Sequence, residues 1–469
     1  MNRTIPSILA AVLICSFPGA ALADAPGDAL DTVNWPQWRG PGLNGVSPAT
    51  NLPVEWSAEK NIIWKTPLPH WSGSTPVIWG DRIFVMSPSA PAPRPVEEAA
   101  DDPQDPPPGG RGGRGGRGGR GGGRDPGGND ILLFCISKAD GSILWRHKMD
   151  EGNQLHMKAN HASPSPVTDG THVWAVTGNG TVTALTMTGE VVWSRNLQQD
   201  YGPFGLNWGF AASPLLYEGR IIIPVLHGMR TDDPSYVVCF DALTGKELWR
   251  QERPTDAPAE SPDAYTTPAV LRHGDGSQIV VSGGDYVTGH DPDSGRELWR
   301  AAGLNPGKQR NYRIVASPVV VGDLIYAPTR VRPLLALRYE GGESEPTTLA
   351  WKWDAQGAPD VPTPVCDGTY FYMASDNGMV TCLDARTGEV KWGPERTVQG
   401  TVSSSPILAD GRIYLTNEEG VTVVLAAGPQ FRMLATNELD GSYTLSSPVT
   451  SGSRLFIRTG THLYCIGSE

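Results

Sequence analysis

Apolar and polar positions alternate along this chain in short bursts, each closed by a turn containing Gly or Asp, and the pattern recurs. One unit opens Ser213-Pro214-Leu215-Leu216-Tyr217-Glu218-Gly219-Arg220-Ile221-Ile222-Ile223: a Pro, a short apolar run, a turn and a second strand. Pro is tolerated at the first position of a strand, where its missing N–H disturbs the ladder least. A third apolar run follows, then a turn and a fourth strand reaching Trp, as in Asp241-Ala242-Leu243-Thr244-Gly245-Lys246-Glu247-Leu248-Trp249. Asp and Thr oxygens cap such turns, and Gly accepts the positive φ they need. Trp145, Trp193, Trp299 and Trp392 end similar phrases, and Trp351 or Trp353 ends a further one.

The Pro residues that open the units fall at 76, 166, 214, 268, 318, 364, 406 and 448, giving eight units. A repeat of roughly 40–50 residues with four strands (a to d) predicts an all-β, eight-bladed β-propeller of four-stranded antiparallel blades. The eighth unit stops after strand c at Leu463-Tyr464-Cys465-Ile466. A spare d-like strand, Asn61-Ile62-Ile63-Trp64-Lys65, stands ahead of the first unit. It is expected to complete the last blade and close the ring, which removes open sheet edges. Trp64 then joins the d-strand tryptophans, which read as packing between blades; in blade seven Phe431 lies nearest that position, leaving its fourth strand the least defined.

Residues 61–469 are thus assigned to the propeller and 24–60 to an N-terminal extension. Residues 1–23 read as a cleavable signal peptide: basic Arg3, an apolar run from Ile8 to Phe17, and Ala21-Leu22-Ala23 before Asp24. Cys15 follows Ile14 where a lipidation site needs a small residue, so a soluble periplasmic or secreted protein is expected. No later run approaches the ~20 apolar residues of a transmembrane helix. Cys135, Cys239, Cys382 and Cys465 share one strand-c position on different blades, too far apart for disulfides, and Cys366 sits near an a–b turn. A net charge of −12 argues against nucleic acid and anionic lipid as general partners. A monomer is expected.

Residues 88–130 are foreign to the repeat, running from a Pro/Ala/acidic stretch into Gly109-Gly110-Arg111-Gly112-Gly113-Arg114 and on to Arg124. With almost no apolar residues the segment is expected to be disordered. It interrupts blade one between strands b and c and emerges on the face of the d–a loops. It reads as a flexible tether, with contact to an anionic polysaccharide or an acidic partner patch as the other possibility.

The d–a loops 146–162, 194–212, 250–266 and 300–316 are long, and those leading into blades six to eight are shorter. The candidate binding face gathers His70, Trp71, His156, Asn160, His161, Asn207, Trp208, Asp263, Tyr265, Arg310 and Arg313, with Lys158, Tyr201 and Tyr312 nearby. Such a one-sided crescent suits a small polar ligand or an extended peptide. His156 and His161 have no third ligand in the sequence, so no metal site is assigned. Asp256, Glu260 and Asp263 could serve as a base, yet nothing singles one out, and no Cys-x-x-Cys-His, Gly-x-Ser-x-Gly, phosphate loop or His-Glu-x-x-His is present.

The repeated Asp-Ala-x-Thr-Gly-Glu-x-x-Trp phrase resembles the PQQ-like β-propeller repeat family, over about residues 61–469. Trp35-Pro36-Gln37-Trp38-Arg39-Gly40-Pro41 resembles the opening of exported bacterial members. One branch of that family, the quinoprotein dehydrogenases, oxidises alcohols or sugars with PQQ and calcium; the other, BamB-like branch is non-enzymatic. This chain has no adjacent Cys pair and no large inserts of the dehydrogenase kind. It also lacks a clear lipobox and carries the Arg-Gly tether, unlike BamB. The resemblance implies a cofactor-free binding or assembly scaffold with a protein or peptide partner in the cell envelope. The alternative is a PQQ-dependent alcohol or sugar dehydrogenase; no catalytic residue is carried over.

Overall fold

The computed structural model describes residues 32–92 and 125–467, apart from 275, 331 and 343–345. The expected signal peptide and most of the 88–130 insert lie outside those residues. Seven blades are contiguous, covering 77–151, 167–196, 215–252, 269–301, 319–353, 365–396 and 407–438. The eighth joins 449–466 to the N-terminal strand Ile62–Pro67. Trp64 stands opposite Cys465 and Lys65 opposite Tyr464, so the first ordered strand of the sequence repeat closes the ring as expected. Apolar side chains of the inner strands, among them Ile222, Cys239, Val280 and Ile325, are fully removed from water between blades. The one helix among the described residues is the single turn Leu197–Tyr201, capped by Asn196.

The repeat phrase has a specific structural meaning. In seven blades the strand-c residue facing the d-strand Trp is Cys135, Ala184, Cys239, Gly289, Ala336, Cys382 or Cys465. The register then slips by one, a β-bulge that turns the indole out of its own sheet. For Trp64, Trp145, Trp193, Trp249 and Trp351 the ring is received by the next blade, whose turn glycine lies against it. A Cβ on Gly141 would stand 2.6 Å from Trp64, and one on Gly245 2.6 Å from Trp193. The indole N–H then donates to a turn carbonyl of the following blade: Trp64 to Lys138 (3.1 Å), Trp193 to Ala242 (2.8 Å), Trp351 to Ala385 (2.9 Å). Thr-Gly and Trp are therefore two halves of one contact between neighbours. Trp299 is the exception, donating instead to Gln278 Oε1 of its own blade (2.5 Å).

Two sequence expectations are refined. Trp351, not Trp353, holds the register position of blade five. In blade seven Ala435 stands opposite Val424, and Phe431 lies before the strand, its ring 5.3 Å from that of Trp392. The bulge moves the pairing by one residue, which spacing from the turn does not reveal. The five cysteines among the described residues are free and buried.

The segment 32–60 is no loose extension. Trp35 forms an isolated bridge with Ile78, Pro36 O accepts from Thr168 N (2.9 Å), and Gln37 Oε1 accepts from Leu216 N (3.3 Å). Val46–Ser47 adds a parallel strand to Ile407–Ala409, and Trp56 stacks on Tyr414. Arg39 is buried with no carboxylate partner; its guanidinium donates to the carbonyls of Pro406 and Pro364, both at 3.0 Å. Burial lowers its pKa to about 9. Gly45, at φ +79°, leaves the room this arginine needs: a Cβ there would come within 2.0 Å of Nη2.

Candidate functional site

The Ser or Thr before each strand-a Pro builds the wall of the site. Its N–H precedes the strand, has no ladder partner and must be satisfied elsewhere. The hydroxyl of the next blade does so. Thr75 N donates to Ser165 Oγ (3.0 Å), Ser165 to Ser213 (2.9 Å), Ser213 to Thr267 (3.1 Å) and Thr267 to Ser317 (2.9 Å). Ser317 donates to Thr363 (2.9 Å), Thr363 to Ser405 (2.9 Å), Ser405 to Ser447 (3.0 Å), and Ser447 back to Thr75 Oγ1 (3.1 Å). The result is a closed girdle of hydroxyls around the axis.

Above the girdle opens a cup of ≈ 490 Å³. Six girdle residues and the indole of Trp38 line it, and His156, Lys158, Trp208, Tyr265 and Arg313 reach it from the long loops. Trp38 is held by its neighbours Trp35 and Arg39, so the N-terminal segment furnishes part of the lining.

Of the residues expected on the binding face, four line the cup: His156, Trp208, Tyr265 and Arg313. The others support it. Asp263 is fully buried, and its carboxylate accepts the N–H groups of Asn207 (2.7 Å) and Met229 (3.0 Å). Burial lifts its pKa to about 6, against these opposing hydrogen bonds. Asn207 also receives Arg230, and Trp208 donates its indole N–H to Glu260 Oε1 (2.6 Å) and its backbone N–H to Tyr265 Oη (3.0 Å). Arg310 is exposed; its carbonyl accepts from Glu260 N (2.9 Å). Tyr201 and Tyr312 are tied to Glu247 and to the Leu304 carbonyl.

His70, Trp71 and Asn160 sit at the root of the insert. Trp71 Nε1 donates to Asp125 O (2.8 Å), Asn160 Nδ2 to Trp71 O (2.8 Å), and His70 O accepts from Ser87 Oγ (2.8 Å). The described C-terminal flank of the insert lies against the loop 146–162, Pro126 O accepting from Asn153 Nδ2 (2.8 Å). His156 and His161 face one another, Nε2 to Nε2, at 2.8 Å, so one ring donates to the other. Burial first, then the neighbouring His156, brings the pKa of His161 down to about 4.

The cup is not a one-sided crescent, because blades six and seven contribute charged groups that loop length alone did not flag. Lys158 bridges across the mouth to Glu418 (2.9 Å) and to Ser403 Oγ (3.1 Å). Arg313 and Arg330 approach Asp360 at 3.2 and 3.7 Å. Asp376 Oδ1 accepts the N–H groups of Asp360 and Val361, both at 3.1 Å, and burial followed by the charge of Asp360 raises its pKa. The girdle had a signal in the sequence, the Ser/Thr that precedes every repeat Pro. Trp38 had one in the Trp-Pro-Gln-Trp motif. Asp360 and Asp376 stand outside any repeated phrase.

Eight blades whose inner strands carry a hydroxyl girdle, five of their junctions made by a Trp-to-Gly contact, define a propeller of the PQQ-like type with a cup at one mouth. The chain belongs to the family described as outer membrane protein assembly factor BamB, whose model matches residues 130–352 and 343–444. It is 23% identical over 342 residues to the outer membrane protein assembly factor BamB of Yersinia pestis, covering 70% of this chain and 78% of that protein. Among solved structures, BamB from Moraxella catarrhalis superposes with a TM-score of 0.52 at 15% identity, over 73% of this chain and 95% of the other. A europium-containing methanol dehydrogenase gives a TM-score of 0.67 at 10% identity, over 93% and 98%. At these identities the structural likeness speaks for the fold alone.

The dehydrogenase likeness raises the question of PQQ and calcium. PQQ is a flat tricarboxylate and needs surplus positive charge. In the cup, each of Lys158, Arg313 and Arg330 already has a carboxylate within 4 Å, and Glu260 and Asp376 add further negative charge. No group of three His, Cys, Asp or Glu side chains among the described residues is placed to hold a metal ion. The donor set does not fit the pair.

Proposed function

We propose that the protein is an exported, non-enzymatic scaffold of the cell envelope that presents its long-loop face to a protein partner during assembly at the outer membrane. The family membership supports the assembly role. The observation that carries the binding face is the Asp263–Asn207–Trp208–Glu260 knot, which ties three long loops into a fixed rim. A rim already held in place loses little conformational entropy when a partner docks, which favours affinity. Arg310, exposed on that rim, is free of the knot's side-chain bonds and is placed to meet the partner.

The test is genetic and enzymatic together. Loss of the protein is expected to lower the amount of folded outer-membrane protein, with wild type restoring it and Arg310→Glu restoring it less. Adding PQQ and Ca²⁺ to the purified protein should leave its melting point unchanged and give no dye-linked oxidation of alcohols or sugars. A rise of several degrees with turnover would overturn the scaffold reading in favour of a quinoprotein.

A further inference from the structure

We infer that the cup binds a neutral polyhydroxylated ligand, a saccharide of one or two rings. Its volume of ≈ 490 Å³ lies within the ~300–1,000 Å³ of small-molecule sites. Three properties of the lining narrow the chemistry.

The first is an excess of donors at the girdle. Thr75, Ser165, Ser213, Thr267, Ser405 and Ser447 line the cup, and each uses its hydroxyl oxygen to accept a backbone N–H. None of the six donates to another described residue. Their hydroxyl hydrogens are left for water or a ligand that accepts.

The second is the set of acceptors opposite them. Glu260 and Asp376 are on the wall, and Asp360 Oδ1 is buried without a hydrogen-bond partner among the described residues. A ligand there must donate, and an O–H to a carboxylate is a strong, short bond. An anion would meet the girdle well but be repelled by the carboxylates: Lys158 is held by Glu418, Arg313 and Arg330 share Asp360, and Glu260 and Asp376 remain on the wall. An ammonium would suit the carboxylates and leave the girdle hydroxyls without acceptors. A sugar hydroxyl donates and accepts in the same group, so it satisfies both sides.

The third is the aromatic lining. Trp38 and Trp208 both line the cup, and Trp208 is fixed by hydrogen bonds to Glu260 and Tyr265. Indoles offer a broad apolar face with a negative quadrupole, against which the C–H face of a pyranose packs. The N-terminal segment supplies one of the two, a purpose that bracing the ring alone does not demand of Trp38.

The experiment titrates maltose, cellobiose and chitobiose into the whole protein, read by calorimetry and by tryptophan fluorescence. Glucuronate, glucose 6-phosphate and glucosamine are the charged comparisons. At least one neutral sugar is expected to bind at or below ~10 mM and at least tenfold more tightly than any charged one. Trp208→Ala should weaken that binding tenfold or more. Glu260→Gln keeps the shape and the bond from Trp208, and should weaken it several-fold with an unchanged melting point. The proposal fails if none of the three neutral sugars binds, if a charged sugar binds more tightly, or if both variants bind as wild type does.

Discussion

Asp263 shows how one side chain can organise the loop face. Its carboxylate is buried, yet two loops depend on it for their backbone N–H groups. Those groups have no other acceptor, so their loss is felt as unsatisfied buried donors at ~1–3 kcal/mol each. Asp263→Asn turns an amide N–H₂ toward them and should destabilise the protein at every pH. The size of the loss depends on pH. The folded pKa of about 6 lies above the ordinary carboxyl value, so the folded state holds the proton more tightly than the unfolded chain. The stability Asp263 contributes is therefore greatest at low pH and falls as pH rises from ~4 to ~6, with no further change above. Paired melting curves should show the gap between wild type and Asp263→Asn narrowing over that window. Comparing the two proteins cancels His161, whose depressed pKa acts in the opposite sense over the same range. A gap that widens with pH would show that Asp263 is ionised throughout.

At the scale of the strand and its neighbours, the Trp-to-Gly contact does the work of joining blades, and Trp64 makes it for the closure. Trp64 is half-buried, packs on Phe456 with ring centroids 5.9 Å apart, and donates to Lys138 O. Trp64→Ala should cost ~3 kcal/mol, the lower end for a large aromatic, because part of the indole is already in water. Urea unfolding measures it, and an unchanged midpoint would mean the closing strand is held by its ladder alone. This contact was legible in the sequence because both halves are repeated in most units and at constant spacing. The blade count, the strand order and the closure were legible for the same reason. What escaped was set by single residues without a repeat behind them. Ala435 replaces an expected aromatic in blade seven, the bulge decides between Trp351 and Trp353, and Asp360 and Asp376 enter the cup from loops too short to attract notice. Loop length pointed to the face on which the cup opens but favoured residues such as Asn160 and Asp263, whose polar groups are spent inside the loops.

For the molecule as a whole, two devices close the ring: the N-terminal strand and the girdle of eight hydroxyl bonds. Both are built from residues outside the insert. Its flanks meet directly, Gly128 N donating to Ser89 O at 2.7 Å, so the two ends are already adjacent. Replacing residues 93–124 with a short Gly-Ser linker should leave stability within ~0.5 kcal/mol of wild type, by chemical denaturation. Removing residues 32–67 should behave in the opposite way. It strips the outermost strand from blade eight and leaves His462–Ile466 as an unpaired edge, with Phe456 and Tyr464 uncovered. It also withdraws Arg39 from the carbonyls of Pro364 and Pro406 and Trp35 from Ile78, loosening blades one, six and seven. A closed ring has no terminal repeat, and each blade is supported on both sides; the opened array has two ends and exposed strand edges, which pair with other copies. The truncated chain is expected to unfold in a broader transition than wild type and to sediment as oligomers, with wild type remaining a single species. A truncated chain that stays monomeric and melts as sharply as wild type would mean that the hydroxyl girdle and the blade-to-blade indoles hold the ring without the N-terminal strand.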